Sequence, residues 1–112
     1  MSPDAAKTQD LLYVSSGATV DVYSYPAGKL MGMLTDDLSG PDGICVDNKQ
    51  NIWIVNNYSV GDVAVGYKHG GKTHVAAIQD PGAGAHIGCS VDPVTGNLAV
   101  TSYGYGSAGG GL

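Results

Sequence analysis

The chain has 112 residues, the size of one small domain, so a second independently folded unit is excluded. All 10 acidic residues are Asp and all 5 basic residues are Lys, giving a formal net charge of −5; without Arg or clustered positive charge, phosphate binding and hence a nucleic-acid partner are excluded. Hydrophobic residues make up 43%, too many for a disordered chain, yet no apolar run approaches the roughly 20 residues of a membrane-spanning helix.

The 18 Gly and 5 Pro, with no Glu at all, disfavour helices and favour short strands joined by tight turns. The predicted fold class is therefore all-β. Residues 1–10, MSPDAAKTQD, contain no apolar core and read as a polar leader rather than a signal peptide or anchor. Residues 11–40 are expected to hold three strands, residues 41–79 four and residues 80–103 two. Residues 104–112 form a Gly-rich end, GYGSAGGGL, read as a repeat cut off part-way.

The word repeat rests on self-similarity within the chain. The stretch PDGICVDNKQNIWIVNN from Pro41 returns as HIGCSVDPVTGNLAVTSY from His86, with Gly43 on Gly88, Val46 on Val91 and Asp47 on Asp92 at a spacing of 45. Likewise VDVYSYPAGKLMGML from Val20 aligns with VAVGYKHGGKTHVAA from Val63, placing Gly28 and Lys29 on Gly71 and Lys72 at a spacing of 43. LLYVSS, Leu11 to Ser16, then takes the slot of NIWIVN and NLAVTS. One repeat thus has an inner strand (Gly-x-x-Val-Asp), a second strand (NIWIV), a third (DVAVGYK) and an outer one (KTHVAAI). Each strand shows the period-two alternation of a half-buried ribbon.

A four-stranded antiparallel unit of 40–46 residues is the signature of a β-propeller blade. Nine strands make about two and a half blades, whereas closed propellers need about four to eight. The chain is accordingly expected to be a fragment. Its partners would be the remaining blades of a longer propeller or further copies of itself, because unpaired strand edges recruit other chains. Alternation assigns Val46, Ile52, Ile54, Val63, Val65, Val91, Leu98 and Val100 to the apolar layers between blades, with Trp53 at least partly buried. Cys45 and Cys89 could pair, but two cysteines without a secretion signal read as buried free thiols.

The segment Pro41-Asp42-Gly43-Ile44-Cys45-Val46-Asp47, followed by a turn and Asn51-Ile52-Trp53-Ile54, resembles the NHL-repeat pattern. It is equally similar to blades of the gluconolactonase/regucalcin family and of the virginiamycin B lyase family. The resemblance implies a six-bladed or similar propeller. In the gluconolactonase-like case it implies a divalent cation, Ca or Zn, bound by the Asp of Pro-Asp-Gly, which here is Asp42. The family's Glu ligand has no counterpart, since the chain has no Glu, and His86-Ile87 replaces Pro41-Asp42 in the next copy.

Other candidates lie at strand ends, where ligands bind. Asn56, Asn57 and Tyr58, with Tyr103 in the matching place, offer amides and an aromatic platform for a small-molecule or protein ligand, although Asn at such positions more often caps turns. Asp47 and Asp92 recur with the repeat and are expected to accept backbone N–H groups in the hairpins that follow them. His86, at the start of an inner strand, is a candidate general base by resemblance to the lyase family, while His69 in a turn and His74 on an outer strand are expected to face solvent. The glycine tail lacks the G-x-x-x-x-G-K-[ST] phosphate loop, and no Ser stands in a G-x-S-x-G setting. The leading functional expectation is a non-catalytic binding or interaction scaffold; the alternative is part of a gluconolactonase-like hydrolase or a virginiamycin B lyase-like enzyme. An acidic, Gly- and Tyr-rich composition suits an exported propeller, periplasmic or extracellular.

Overall fold

The structure, a computed structural model, describes residues 1–7, 10–57, 62–79 and 85–103. After a 3-10 helix, Pro3–Lys7, come nine strands: β1 Leu11–Ser16, β2 Thr19–Ser24, β3 Leu30–Leu34, β4 Pro41–Val46, β5 Ile52–Asn56, β6 Ala64–Tyr67, β7 His74–Ile78, β8 Ala85–Val91 and β9 Leu98–Tyr103. The all-β class read from composition is the one observed. The strands form three antiparallel sheets, none of them closed, in the orders β1-β2-β3, β4-β5-β6-β7 and β8-β9.

The sheets are layered, with β4 against β1 on one side and β4 and β5 against β8 on the other. Directly opposed residues in neighbouring strands share a sheet face, which decides how each layer is filled. Ile44 lies across from Ile54 and Ile54 across from Val65, and this face meets the first sheet. There Ile52, Ile54, Val65 and Tyr67 join Val20, Val22, Met31 and Leu34 in one buried cluster. Cys45 lies across from Trp53 on the other face, which looks toward β8. The Trp53 ring covers Gly66, where a Cβ would come within 3.1 Å of its atoms.

The inner strands β4 and β8 carry the same irregularity. Between Pro41 and Ile44, and again between His86 and Cys89, the register slips, so that two residues oppose one as in a β-bulge. Both bulges contain the glycine of Gly-x-x-Val-Asp, and at Gly43 the reason is contact between the two backbones. A Cβ on Gly43 would stand 2.4 Å from the Ile87 carbonyl oxygen and 2.7 Å from the Gly88 Cα, distances that no side chain tolerates. Gly43 is therefore required by the packing of β4 against β8, whereas a Cβ on Gly88 would meet only Thr101 Oγ1, at 3.4 Å.

Several sequence expectations need correction. Cys45 and Cys89 are not free thiols: they form a disulfide with a Cα separation of 5.8 Å, possible because the β4 to β8 contact brings together residues that the chain sets far apart. Val46 is not a core residue. It shares the face of Ile44 but is 56% exposed, because it lies at the end of β4, past the cover of the first sheet. Ile52, Ile54, Val63 and Val65 are buried as expected, whereas Val91, Leu98 and Val100 are half-buried, as is Trp53.

The third-strand alignment also shifts by one residue. Tyr23 pairs with Leu30 and Tyr67 with His74, each just beyond an equivalent bulge, so the repeat spacing there is 44 and not the 43 suggested by the turn glycines. Tyr13 across from Val22 then matches Trp53 across from Gly66. This agrees with the slot given to LLYVSS. Because side chains alternate, the one-residue slip exchanges faces: Val22 corresponds to Gly66 under the Trp53 ring, and Tyr23 to Tyr67.

The leader is not merely polar. Ala5 is fully buried, and the Ser2 amide donates to the Met31 carbonyl at 2.6 Å. Room for it comes from Gly70, in the left-handed region at φ 69, where a Cβ would lie 2.5 Å from the Ala5 backbone.

Candidate functional site

Polar groups collect at one end of the second sheet, where the β3–β4 crossover, the end of β5 and the residue leading into β6 converge. Asn56 organises this end. It is 1% exposed; its side-chain oxygen accepts from the Ser39 amide at 2.9 Å, and its Nδ2 donates to the carbonyls of Asp37 at 3.0 Å and Asp62 at 2.8 Å. A buried amide in this position leaves no group for a ligand, and its value lies in tying two loops to β5. Asn57 does the complementary work at the surface, with its amide N–H donating to the Gly40 carbonyl at 2.8 Å and its Nδ2 donating to Asp42 Oδ2 at 3.1 Å.

Asp42 is exposed and reached by a second neighbour, the Ser15 hydroxyl, which donates to its carbonyl at 2.6 Å. The structure thus brings Asp42 and Asn57 together. Among the described residues no group of three or more His, Cys, Asp or Glu converges with metal-binding geometry. His86 is 1% exposed, held within the packing of β8 rather than on an open surface. Its Cα partner is Ser102, and that of Ala85 is Tyr103, the last residue of β9. Tyr58 lies outside the described residues, as does the side chain of Tyr103.

Beside Asn56 stands a cluster that sequence reasoning missed. Asp36 Oδ2 accepts from the His74 amide at 3.0 Å and lies 2.6 Å from His74 Nδ1, while the Tyr67 hydroxyl donates to the Asp36 carbonyl. His74 Nε2 is 3.8 Å from Asp37 Oδ2. Asp37 adopts the left-handed region at φ 58, an uncommon conformation for a non-Gly residue that Asp tolerates. Its Oδ2 is shielded from solvent and makes no hydrogen bond. The carboxyls of Asp37 and Asp62 share a hydrogen bond, which raises Asp37 above the ordinary carboxylate range, helped by burial, and lowers Asp62. Bonding to Asp36 likewise raises His74, and the His74 donors lower Asp36. Burial, followed by the charges of Asp36 and Asp37, pushes the Tyr67 hydroxyl far up. The only sequence signal was Asp36-Asp37 before a strand, which reads equally as a turn.

The recurring aspartates serve the hairpins. Asp47 accepts from the amides of Lys49 at 2.8 Å and Asn51 at 2.9 Å, and from Asn51 Nδ2 and the Trp53 indole at 3.1 Å each. Burial works to raise this carboxyl, but the donors of Asn51, Lys49 and Trp53 outweigh it and hold it below the usual range. Asp92 repeats the arrangement more simply, accepting from Val94 at 2.9 Å, and is lowered by that amide first.

No family model, curated protein or solved structure matches the chain. The site must be read from its own chemistry. At the opposite end of the sheets a cleft of about 210 Å³ opens between Leu11 and Tyr13 on one side and Val46, Gln50 and Ile52 on the other. Asp10 and His69 stand at its rim. Burial raises the Tyr13 hydroxyl, opposed by the Gly70 amide that donates to it at 2.9 Å. No helix among the described residues is long and apolar enough to cross a membrane.

Proposed function

We propose that this chain is a segment of a β-propeller that serves as a non-catalytic binding or interaction scaffold, with blades of the NHL or gluconolactonase type. Layered antiparallel sheets, inner strand beside inner strand, and the bulge shared by β4 and β8 support the propeller reading. The observation that carries the scaffold reading is the use made of Asn56, Asp47 and Asp92: their polar atoms hold the chain's own backbone and hairpins. The first sheet turns Leu12, Val14 and Met33 outward at 46%, 40% and 56% exposure. In the scaffold reading this apolar face takes a further blade. The Cys45–Cys89 disulfide favours an oxidising compartment and hence an exported protein.

The second reading, a gluconolactonase-like hydrolase or virginiamycin B lyase-like enzyme, is favoured by one observation, the exposed Asp42 carboxylate held by Asn57. Calorimetric titration with calcium and with zinc separates the two. The scaffold reading expects no saturable heat at millimolar cation; tight binding that Asp42→Ala abolishes would replace it with the metal-dependent enzyme.

A further inference from the structure

Strand β7 is held in an unusual way. Among the described residues it is an edge strand, paired only with β6, and every strand residue after His74, from Val75 to Ile78, is exposed. Burial contributes little to its attachment, which leaves the β6 ladder and whatever fastens its first residue. That residue is His74, bonded through both its backbone amide and its ring to Asp36, at the point where the β6–β7 register slips. The Asp36 backbone is bound in turn by the Tyr67 hydroxyl, and the far side of the imidazole faces Asp37. Hydrogen bonding to Asp62 raises Asp37. Among the described residues every titratable group facing the ring is thus an acid: Asp36 and Asp37 from the β3–β4 crossover, Asp62 from the segment before β6, and Tyr67 from β6 itself.

We propose that Asp36, Asp37, Asp62 and His74 form a proton-operated clamp that fastens the edge strand β7 to the β3–β4 crossover, tight while the imidazole is protonated and slack once it is neutral. The sign follows from His74. His74 is raised in the folded protein, so its contribution is fully present below the ordinary histidine range and is lost as pH rises through its folded value. Asp36 and Asp62 are lowered, so their contribution fails only in strong acid. Between those limits the imidazolium stands among carboxylates. Above the folded value of His74 a neutral ring faces these carboxylates, and the anchor of β7 weakens while β5 and β6, held by the core, keep theirs.

Amide hydrogen exchange, corrected for intrinsic rate and followed by NMR at pH 5.5 and pH 8, tests the clamp on the intact chain. Protection of Val75 to Ile78 is expected to fall several-fold at the higher pH while that of Ile54 and Val65 holds. In His74→Gln the difference between the two pH values is expected to vanish. Unchanged β7 protection in the unsubstituted protein overturns the proposal, as does a His74→Gln protein that retains the pH effect. Should that variant not fold, the His74 ring resonances of the unsubstituted protein decide: a titration midpoint above that of free histidine supports the clamp, and one at or below it refutes it.

Discussion

Reduction of the Cys45–Cys89 disulfide will lower the free energy of unfolding by about 4 kcal/mol. The half-cystines are separated by 44 residues, and in the chain-entropy treatment closing a loop of that length removes roughly 13 cal/mol/K from the unfolded ensemble. The folded state gives up little in exchange, because the link joins inner strands already in backbone contact at Gly43. Urea unfolding with and without dithiothreitol measures it. The single Trp is a well-placed probe, since its carbonyl lies 3.8 Å from the Cys89 sulfur. Coincident curves would mean that the two cysteines are not joined or that the third sheet is held as firmly without them. Marginal domains of this size often have about 5–15 kcal/mol in all, so the reduced chain is expected to sit near its folding threshold.

The second large effect separates two residues on the same sheet face. Ile54→Ala is expected to cost about 2–5 kcal/mol, the usual result of emptying a packed site that cannot collapse: Ile54 is fully buried between Ile44 and Val65, beneath the first sheet. Val46→Ala, two residues along the face from Ile44, is expected to stay within about 0.5 kcal/mol, because Val46 is 56% exposed. Thermal or urea melts of both variants check the pair. Equal losses would place the first sheet over the whole length of β4 and contradict the layering; a larger loss for Val46→Ala would reverse the order of burial.

How far the sequence could be read depended on whether a signal was local. Alternation placed the strands, and the repeated Gly-x-x-Val-Asp marked the inner ones, because both patterns depend on what a residue's immediate neighbours require. Asp47 and Asp92 were legible for the same reason, each bonding to backbone within the next few residues. Burial at Val46 was not legible: its face follows from alternation, but its cover depends on where another sheet stops. The disulfide was hidden because it depends on the approach of β4 to β8, and the neighbouring Gly43 and Gly88 read equally as bulge or turn residues until the two strands are set together. The one-residue slip in the third strand arose from matching turn glycines, which fix where the chain reverses but not which face the flanking residues present. At the candidate site, Asn56 and Asp42 stood out by position, whereas His74 looked like any residue on an exposed strand. Its partners come from a crossover 38 residues earlier, and only the packing of the crossover against β7 makes them neighbours.

The central structural claim, that successive repeats pack inner strand against inner strand, turns on one contact. Gly43 and Gly88 occupy equivalent places in β4 and β8, and a Cβ on the first would fall 2.7 Å from the Cα of the second. A NOESY spectrum of the isotope-labelled protein reads this contact directly. The layering predicts a strong cross-peak between the Hα protons of Gly43 and Gly88, accompanied by contacts from Gly43 to Ile87; a Gly43 whose Hα protons show no contact to residues 86–89 would contradict it.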